Sequence, residues 1–332
     1  MKIREFAGYG NKMEQLMRSV QAGRIVHALL LVGPHGSGKR TMAGLLAQAM
    51  VCTGASKPCG ACPACKRFLA ESHPDVHRIV PEKKTIGVDE IRDLIDALSL
   101  SSYEGGRHIV LIEQADKMTP SAQNALLKTL ENPVGDAMFF LITDAPGALL
   151  TTILSRCQTV RFSDLSVEDC AGVLEKRGIA PARAAELAGL SQGSVGRALE
   201  IDADAGFPAL RERVLKSLET LKPPTEKNAK ASVAEAAVLL EDDKGAENAM
   251  LEIMELWARD LMAVQSGARP YQQSDDARLR RAWLDGRALL KGVVTLRQQL
   301  AGNVSWPNAL ENMYFMLLEP RNYRRTKLSW QR

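Results

Sequence analysis

Long apolar runs are absent from this 332-residue sequence. No stretch is long enough to cross a membrane as a helix, and residues 1–5 lack the apolar core of a signal peptide. A large excess of one charge is also absent, since 43 Lys and Arg stand against 39 Asp and Glu. The net charge of +4 permits contact with nucleic acid but does not by itself indicate it. We expect a cytoplasmic protein of two or three domains that has no membrane partner.

Cysteine is scarce, and most of it is confined to one short segment. The four clustered residues are Cys52, Cys59, Cys62 and Cys65. In a cytoplasmic chain such a cluster favours metal binding over disulfides. Four thiolates that leave no open coordination position are typical of a structural zinc site, and Gly60 and Pro63 supply the turns. The alternatives are four ordinary buried thiols or a redox pair, and the tight spacing argues against both. We predict that the neighbouring His73 and His77 are structural or solvated and do not bind the metal.

A glycine-rich segment between an apolar run and a helical pattern organises the N-terminal half. It reads Gly33-Pro34-His35-Gly36-Ser37-Gly38-Lys39 and follows apolar residues 28–32. A strand, a glycine-rich turn and a helix form a phosphate-binding loop, in which backbone N–H groups and the helix N-terminus face the anion. The next residue should be Ser or Thr to bind magnesium, but it is Arg40. Thr41 lies one residue late and is rotated by about 100°.

A second departure from the nucleotide-hydrolysing pattern follows the apolar run 107–112. ATPases of this class place Asp and then Glu at this point, because the Asp helps to hold magnesium and the Glu orients the attacking water. This chain has Glu113, which is longer by one methylene, and Gln114, which is no carboxylate base. Asp116 is predicted to cap the next helix. Thr143 ends the following apolar run, where a polar residue often senses the terminal phosphate.

Apolar runs and helical periods alternate through the first half of the sequence. The predicted strands cover 28–32, 75–80, 107–112, 137–143 and 158–162, and the predicted helices cover 41–51, 88–98, 121–132 and 149–154. This order predicts a three-layer α/β domain with a mainly parallel sheet. No strand pattern follows residue 166. We predict short helices at 167–176, 181–187 and 195–201, a linker at 202–208, and a helical region over 209–320 with a basic tail at 321–327. Core or interface candidates in that region are Trp257, Leu261, Trp283, Leu289, Trp306 and Leu310.

The residues resemble the clamp-loader branch of the AAA+ ATPases over most of the chain. The segments that carry the resemblance are 24–28, Ser72-His73-Pro74-Asp75, 124–131, Ile153-Leu154-Ser155-Arg156-Cys157 and 303–318. The resemblance implies an α/β P-loop AAA+ domain over residues 1–163, with a parallel sheet flanked by helices and a zinc insert at 52–65. It further implies a small helical lid over 164–205 and an all-α C-terminal collar domain over 206–332 that oligomerises with homologous domains.

The resemblance also implies a function in replication. Subunits of the bacterial DNA polymerase III clamp loader help to load the sliding clamp onto primed DNA. The implied partners are the gamma or tau motor subunits, the delta subunit, primed DNA and the clamp, at the nucleoid through the replisome. Motor subunits should have Ser or Thr at position 40, Asp-Glu at 113–114, and an Arg directly after a Gly-Ser-Leu triplet. Here Gly193-Ser194-Val195 precedes Gly196, so the chain is expected to be a non-hydrolysing member. Whether ATP still binds stays open, since Gly36, Gly38 and Lys39 would allow it.

The resemblance gives Arg156 its role. In this family the arginine of the Ser-Arg-Cys segment reaches the ATP bound by a neighbouring subunit, and its planar cationic fork suits phosphate oxygens. The alternative is an ordinary surface arginine. Two other functions are alternatives: an active clamp-loader ATPase in which Thr41 and Glu113 bind magnesium, and a zinc-containing nucleic-acid-binding module. The cysteine segment has few aromatic or basic side chains, which disfavours the second.

Overall fold

The structure is a computed structural model that describes residues 10–81, 84–104, 106–133, 135–241 and 245–319. Two compact units divide the chain, residues 1–199 and 200–332. Within the described ranges, no helix is long and apolar enough to cross a membrane. The basic tail noted at 321–327 lies outside the described residues.

Five strands alternate with helices in the first unit. The strands are β1 (Ala28–Val32), β2 (Val76–Ile79), β3 (His108–Ile112), β4 (Ala137–Thr143) and β5 (Gln158–Arg161). The helices up to β5 are α1 (Gly10–Gln21), α2 (Lys39–Val51), α3 (Pro63–Leu69), α4 (Val88–Leu98), α5 (Pro120–Glu131) and α6 (Thr151–Leu154). They are followed by α7 (Val167–Lys176), α8 (Pro181–Leu190) and α9 (Val195–Ala203).

The strands form one parallel sheet in the order β2-β3-β4-β1-β5. In its register Val32 at the end of β1 pairs with Thr143 at the end of β4, and Ile112 at the end of β3 pairs with Leu141. The predicted parallel sheet is therefore confirmed. Because parallel strands all end at one edge, the residues that follow β1, β3 and β4 meet there.

Each face of the sheet packs against its own layer of helices. Alternate strand residues point to opposite faces, so Leu29 and Leu31 pack with α1 and α2, whereas Leu30 and Val32 pack with α4, α5 and α6. The three strands nearest the centre, β3, β4 and β1, are buried throughout. Continuous apolar strands of this kind are what a sheet covered on both faces requires.

Local differences from the predicted helices have identifiable causes. The cysteine segment contains α3, which the sequence pattern did not predict; Pro63 sits in its first turn, where the missing N–H costs nothing. Helix α9 extends to Ala203 and the next helix begins at Phe207, so the predicted linker at 202–208 shrinks to 204–206. Pro208 again lies in a first turn and starts a helix instead of interrupting one.

Asp75 of the Ser-His-Pro-Asp segment fixes the loop that precedes β3. Its buried carboxylate accepts hydrogen bonds from the backbone N–H groups of Tyr103 at 2.7 Å and Glu104 at 3.1 Å. Burial alone would raise the pKa of Asp75, but these donors outweigh it and the pKa lies below its usual range. His73 beside it is buried, and its Nδ1 accepts from the Asp75 N–H at 3.3 Å.

The described residues of the second unit form helices joined by loops. The helices are α10 (Phe207–Thr220), α11 (Ala231–Val238), α12 (Glu247–Gln265), α13 (Asp276–Arg281), α14 (Gly286–Ala301) and α15 (Trp306–Leu317). Of the six core or interface candidates, five are buried within this unit, and Trp283 is half-buried with its Nε1–H donating to Leu221 O at 2.7 Å. They therefore fill the core of this unit. The buried Tyr314 hydroxyl lies 2.6 Å from Ser217 Oγ.

Candidate functional site

The carboxyl edge of the sheet gathers the residues of the predicted phosphate site. The loop 33–38 follows β1, Glu113 follows β3, and Asp144 follows β4, which itself ends at Thr143. Helix α2 starts at Lys39, two residues before its predicted start. Gly36 and Gly38 have φ of 75° and 89°, a backbone conformation that suits glycine. The sequence-predicted loop, strand ends and helix start are thus brought together.

Lys39 is turned into the loop and is almost completely buried, with 5% of its surface exposed. Its Nζ donates to the carbonyls of Gly33 at 2.7 Å and Pro34 at 2.6 Å, and it lies 2.8 Å from Asp144 Oδ1. Burial raises the pKa of Asp164, while the charge of Lys39 opposes that rise. The chain's own acceptors and carboxylates therefore balance the ammonium that the motif would offer to a phosphate.

Arg40 forms an ion pair with the residue that stands in the magnesium-binding position of β3. Arg40 Nε lies 3.0 Å from Glu113 Oε2, and the Glu113 side chain is only 10% exposed. A permanently charged guanidinium thus neutralises the carboxylate that would otherwise help to hold a divalent cation. Thr41 is exposed on the next position of α2.

The segment that follows β3 contains Gln114 and Asp116, and the role of Asp116 differs from the one predicted from the sequence. Gln114 is exposed and has a left-handed backbone with φ of 50°. The prediction that Asp116 caps the next helix is wrong: Thr119 caps α5 by accepting from the Ala122 N–H. Asp116 Oδ1 instead accepts from Thr143 Oγ1 at 2.7 Å. Spacing alone could not show this, because the partner comes from a different strand.

The start of α9 packs directly on the phosphate loop. Gly196 N–H donates to Gly36 O at 3.0 Å, and Ser194 Oγ donates to His35 O at 3.0 Å. A Cβ on Gly196 would lie 2.5 Å from Gly36 Cα, so the two backbones approach as closely as glycine allows. In the sequence, the Gly-Ser-Val-Gly run is notable only because it lacks the expected arginine. In the structure, the same run contacts the phosphate loop.

Arg156 lies among residues of α5 and α6, apart from the pairs around Lys39 and Arg40. Its Nη1 donates to Thr152 O at 2.8 Å and to Ser155 Oγ at 3.3 Å. Its Nη2 pairs with Glu131, the last residue of α5. The Arg156 side chain is 32% exposed. Glu131 was not singled out from the sequence, since nothing in its spacing connects it to Arg156.

The four clustered cysteines converge on one point. The sulfurs of Cys52, Cys59, Cys62 and Cys65 all lie within 4.8 Å of one another. The Cys59–Cys65 and Cys52–Cys62 sulfurs are each 4.0 Å apart. Sulfurs placed about 2.3 Å from a tetrahedral zinc would be about 3.8 Å apart. The four cysteines could therefore bind a metal ion such as zinc with little rearrangement.

Backbone N–H groups support the cluster by donating to its sulfurs. Gly54 and Cys59 donate to Cys52 Sγ at 3.3 and 3.4 Å, Cys62 donates to Cys59 Sγ at 3.3 Å, and Cys65 donates to Cys62 Sγ at 3.4 Å. The Cys65 N–H, together with donors from Thr53, lowers the pKa of Cys62 to about 5. Donors of this kind favour thiolates, which are the form that binds metal.

Some known proteins resemble almost the whole of this chain, and others resemble about half of it. Residues 9–166 match the model of a family described as "DNA polymerase III, delta subunit". DNA polymerase III subunit delta' of Bacillus subtilis (strain 168) is 30% identical over 315 residues, which cover 92% of this chain and 95% of that protein. Subunit delta' of Pseudomonas aeruginosa is 43% identical over 150 residues, 43% of this chain and 46% of the relative. Subunit tau of B. subtilis is 32% identical over 177 residues, 53% of this chain and 31% of the relative.

The close packing of Gly196 on Gly36 can be tested by adding one methyl group. We expect Gly196→Ala to destabilise the first unit by about 1–3 kcal/mol, as overpacking does, and to speed amide hydrogen exchange in residues 33–41. Gly172→Ala is the matched control: apart from its chain neighbours and the nearby backbone of its own helix, no heavy atom would lie within 4 Å of the added Cβ. This substitution should therefore stabilise α7 by about 0.5–1 kcal/mol. Wild-type stability and exchange in Gly196→Ala would contradict the packing described.

Proposed function

Since the chain belongs to the AAA+ clamp-loader family and aligns almost end to end with a delta' subunit of DNA polymerase III, we propose that it is a non-hydrolysing clamp-loader subunit. It assembles with tau- or gamma-type motor subunits and a delta subunit, and the complex places the sliding clamp on primed DNA during replication. The single observation that carries the proposal is this full-length alignment, and the geometry of the phosphate site supports its non-hydrolysing part.

The charges at the carboxyl edge support the absence of turnover. A magnesium ion normally offsets negative charge between the nucleotide and the strand-end carboxylate. Arg40 already supplies a positive charge to Glu113 at 3.0 Å. Gln114 has no carboxylate with which to orient water. Binding of a magnesium nucleotide would therefore require Arg40 to leave its partner, and hydrolysis would still lack its base.

The state of Lys39 supports weak or absent nucleotide binding. Its ammonium is buried, bonded to two loop carbonyls and paired with Asp144. An incoming phosphate would have to exchange these acceptors for its own oxygens, so the net gain would be small. The packing of Gly196 against Gly36 would also have to adjust. The competing proposal, an active ATPase with Thr41 and Glu113 as magnesium ligands, requires Arg40 to leave Glu113 and Lys39 to exchange its present partners.

Arg156 is the proposed functional residue for the neighbouring ATPase site. Its guanidinium sits on the α5–α6 side of the unit and pairs there with Glu131 and Thr152. The proposed surface is thus separate from the chain's own phosphate loop. An arginine supplied by a neighbour stabilises the charge that develops on the transferred phosphoryl group. Ser155 and Cys157 hold the short turn that carries it.

The cysteine cluster and the helical regions after the sheet are proposed to have structural roles. The cysteine cluster is proposed to hold one zinc ion, because four sulfur donors with no open position are typical of structural zinc. Residues 206–332 are proposed to form the collar through which subunits assemble, and residues 164–205 are proposed to form the lid. Exposed apolar side chains in the second unit, such as Val294 and Phe315, are available for such contacts.

The absence of turnover predicts a simple result for the isolated protein. The purified full-length chain should show no magnesium-dependent ATP hydrolysis above background, because both the magnesium ligand and the water-orienting carboxylate are replaced. A tau-type subunit assayed in parallel serves as the positive control. Turnover that disappears in Lys39→Ala would contradict the proposal and favour the active ATPase.

The role of Arg156 predicts a defect that appears only in the assembled complex. Arg156→Ala should fold and assemble normally but lower DNA-dependent ATP hydrolysis and clamp loading at saturating ATP and DNA. Such arginines raise the rate of hydrolysis by about 10³–10⁵-fold, and the rate at the affected site should fall by nearly this factor. Total turnover should fall less, because the other sites remain.

Two further variants sharpen this experiment. Arg156→Lys should not restore the full rate, since an ammonium cannot reproduce the planar fork. Arg92→Ala removes another surface arginine that is paired within its own helix, and it should leave the rate unchanged. If the Arg156→Ala complex works at the wild-type rate, the arginine is only structural.

The metal assignment predicts one zinc ion per chain. Cys62→Ser should lower the zinc content and loosen residues 52–65, because the ion links the loop to the fold. Cys170→Ala removes a buried cysteine outside the cluster and should retain the metal. Elemental analysis of protein purified without added chelator measures both, and wild-type protein free of zinc would refute the assignment.

A further inference from the structure

The guanidinium of Arg156 is held from two sides within its own subunit. Thr152 O and Ser155 Oγ accept from Nη1, and Glu131 pairs with Nη2. An arginine side chain carries five N–H donors, so these three contacts leave two donors for an external ligand. The side chain is therefore oriented before any partner arrives, and it retains a pair of donors for an anion.

Glu131 lies in a position where a carboxylate is unfavourable by itself. It is the last residue of α5, and the C-terminus of a helix carries partial negative charge. Without a cation nearby, an acid there would be repelled. Lys128 in the last turn of α5 is one nearby cation, and Arg156 is the one that pairs directly with Glu131. The pair therefore holds both side chains in place.

The ion pair between Glu131 and Arg156 is also weak enough for another anion to replace Glu131. The side chains of Glu131 and Arg156 are 46% and 32% exposed, and water and salt screen ion pairs that are exposed to this degree. The phosphates of a nucleotide carry more negative charge than one carboxylate, and they bind a guanidinium through two parallel hydrogen bonds. A triphosphate presented by a neighbour can therefore replace Glu131 as the partner of Arg156.

We propose that Glu131 is a positioning residue that orients Arg156 for the neighbouring subunit's ATP. This inference rests on the proposed trans role of Arg156. Glu131 does not touch the reacting atoms; it limits the orientations that the unbound guanidinium samples. More of the assembled sites then contain a correctly placed fork when ATP is bound. Loss of Glu131 thus lowers kcat of the complex and leaves the KM for ATP unchanged.

The test is a double-mutant cycle in the reconstituted complex with primed DNA and clamp. Its variants are Glu131→Ala, Glu131→Gln, Arg156→Ala and the double variant Glu131→Ala with Arg156→Ala. The measured quantity is the Arg156-dependent rate, that is, the ATPase rate of each complex that retains Arg156 minus the rate of the matching complex with Arg156→Ala. Glu131→Ala should lower it about two- to fivefold, the range expected for an exposed ion pair.

Three further readouts separate positioning from a general structural effect. Glu131→Gln should be intermediate, because its amide oxygen still accepts a hydrogen bond. The effect of Glu131→Ala should shrink between about 0.05 M and about 0.5 M salt as screening weakens the pair. Asp136→Ala, which removes the surface pair of Arg107 and Asp136 in the same unit, is the matched control and should change nothing.

The outcomes distinguish the positioning role of Glu131 from the proposed trans role of Arg156. In the Arg156→Ala background, Glu131→Ala should have no further effect. An equal loss in both backgrounds, a wild-type rate in Glu131→Ala, or a rate above wild type would overturn the inference while leaving the role of Arg156 intact. A wild-type rate in Arg156→Ala would overturn both together.

Discussion

The charge balance at the carboxyl edge of the parallel sheet constrains the phosphate-loop side of the first unit. Lys39 and Arg40 are consecutive cations at the start of α2, and each is paired with a carboxylate that follows a different strand, Asp144 after β4 and Glu113 after β3. In a nucleotide-hydrolysing relative, the phosphates would neutralise the lysine and a divalent ion would meet the strand-end acid. Here side chains fill both electrostatic roles, so both cations at the start of α2 are paired within the chain.

The same edge connects the loop to the helices that follow the sheet. Because Gly36 and Gly196 meet backbone to backbone, the start of α9 rests on the loop at the place where the hydrolysing pattern would put a sensing arginine. In this chain the contact combines a backbone hydrogen bond from Gly196 to Gly36 with one from the Ser194 hydroxyl to His35 O.

Two other features of the unit carry chemistry and lie apart from the loop. The cysteine cluster is held by N–H donors from its own turn, so its geometry is set locally. Arg156 is held by a carbonyl and by Glu131 on the α5–α6 side. In the proposed function, a subunit whose own hydrolytic residues are replaced contributes one arginine to a neighbour. The proposed function therefore separates the ability to bind a partner's ATP from the ability to hydrolyse ATP.

The sequence by itself determined the features that depend on neighbouring residues. Alternating apolar runs and helical periods predicted the parallel sheet, and the short cysteine spacing predicted the four-sulfur cluster. Contiguous motifs also located the loop and its missing hydroxyl at Arg40. Only the tertiary structure decided which residues meet across these elements, such as Glu113 with Arg40, Gly196 with Gly36, and Glu131 with Arg156. The physical reason is that such pairs depend on strand order, register and helix packing, which bring together residues whose separation along the chain carries no periodic signal.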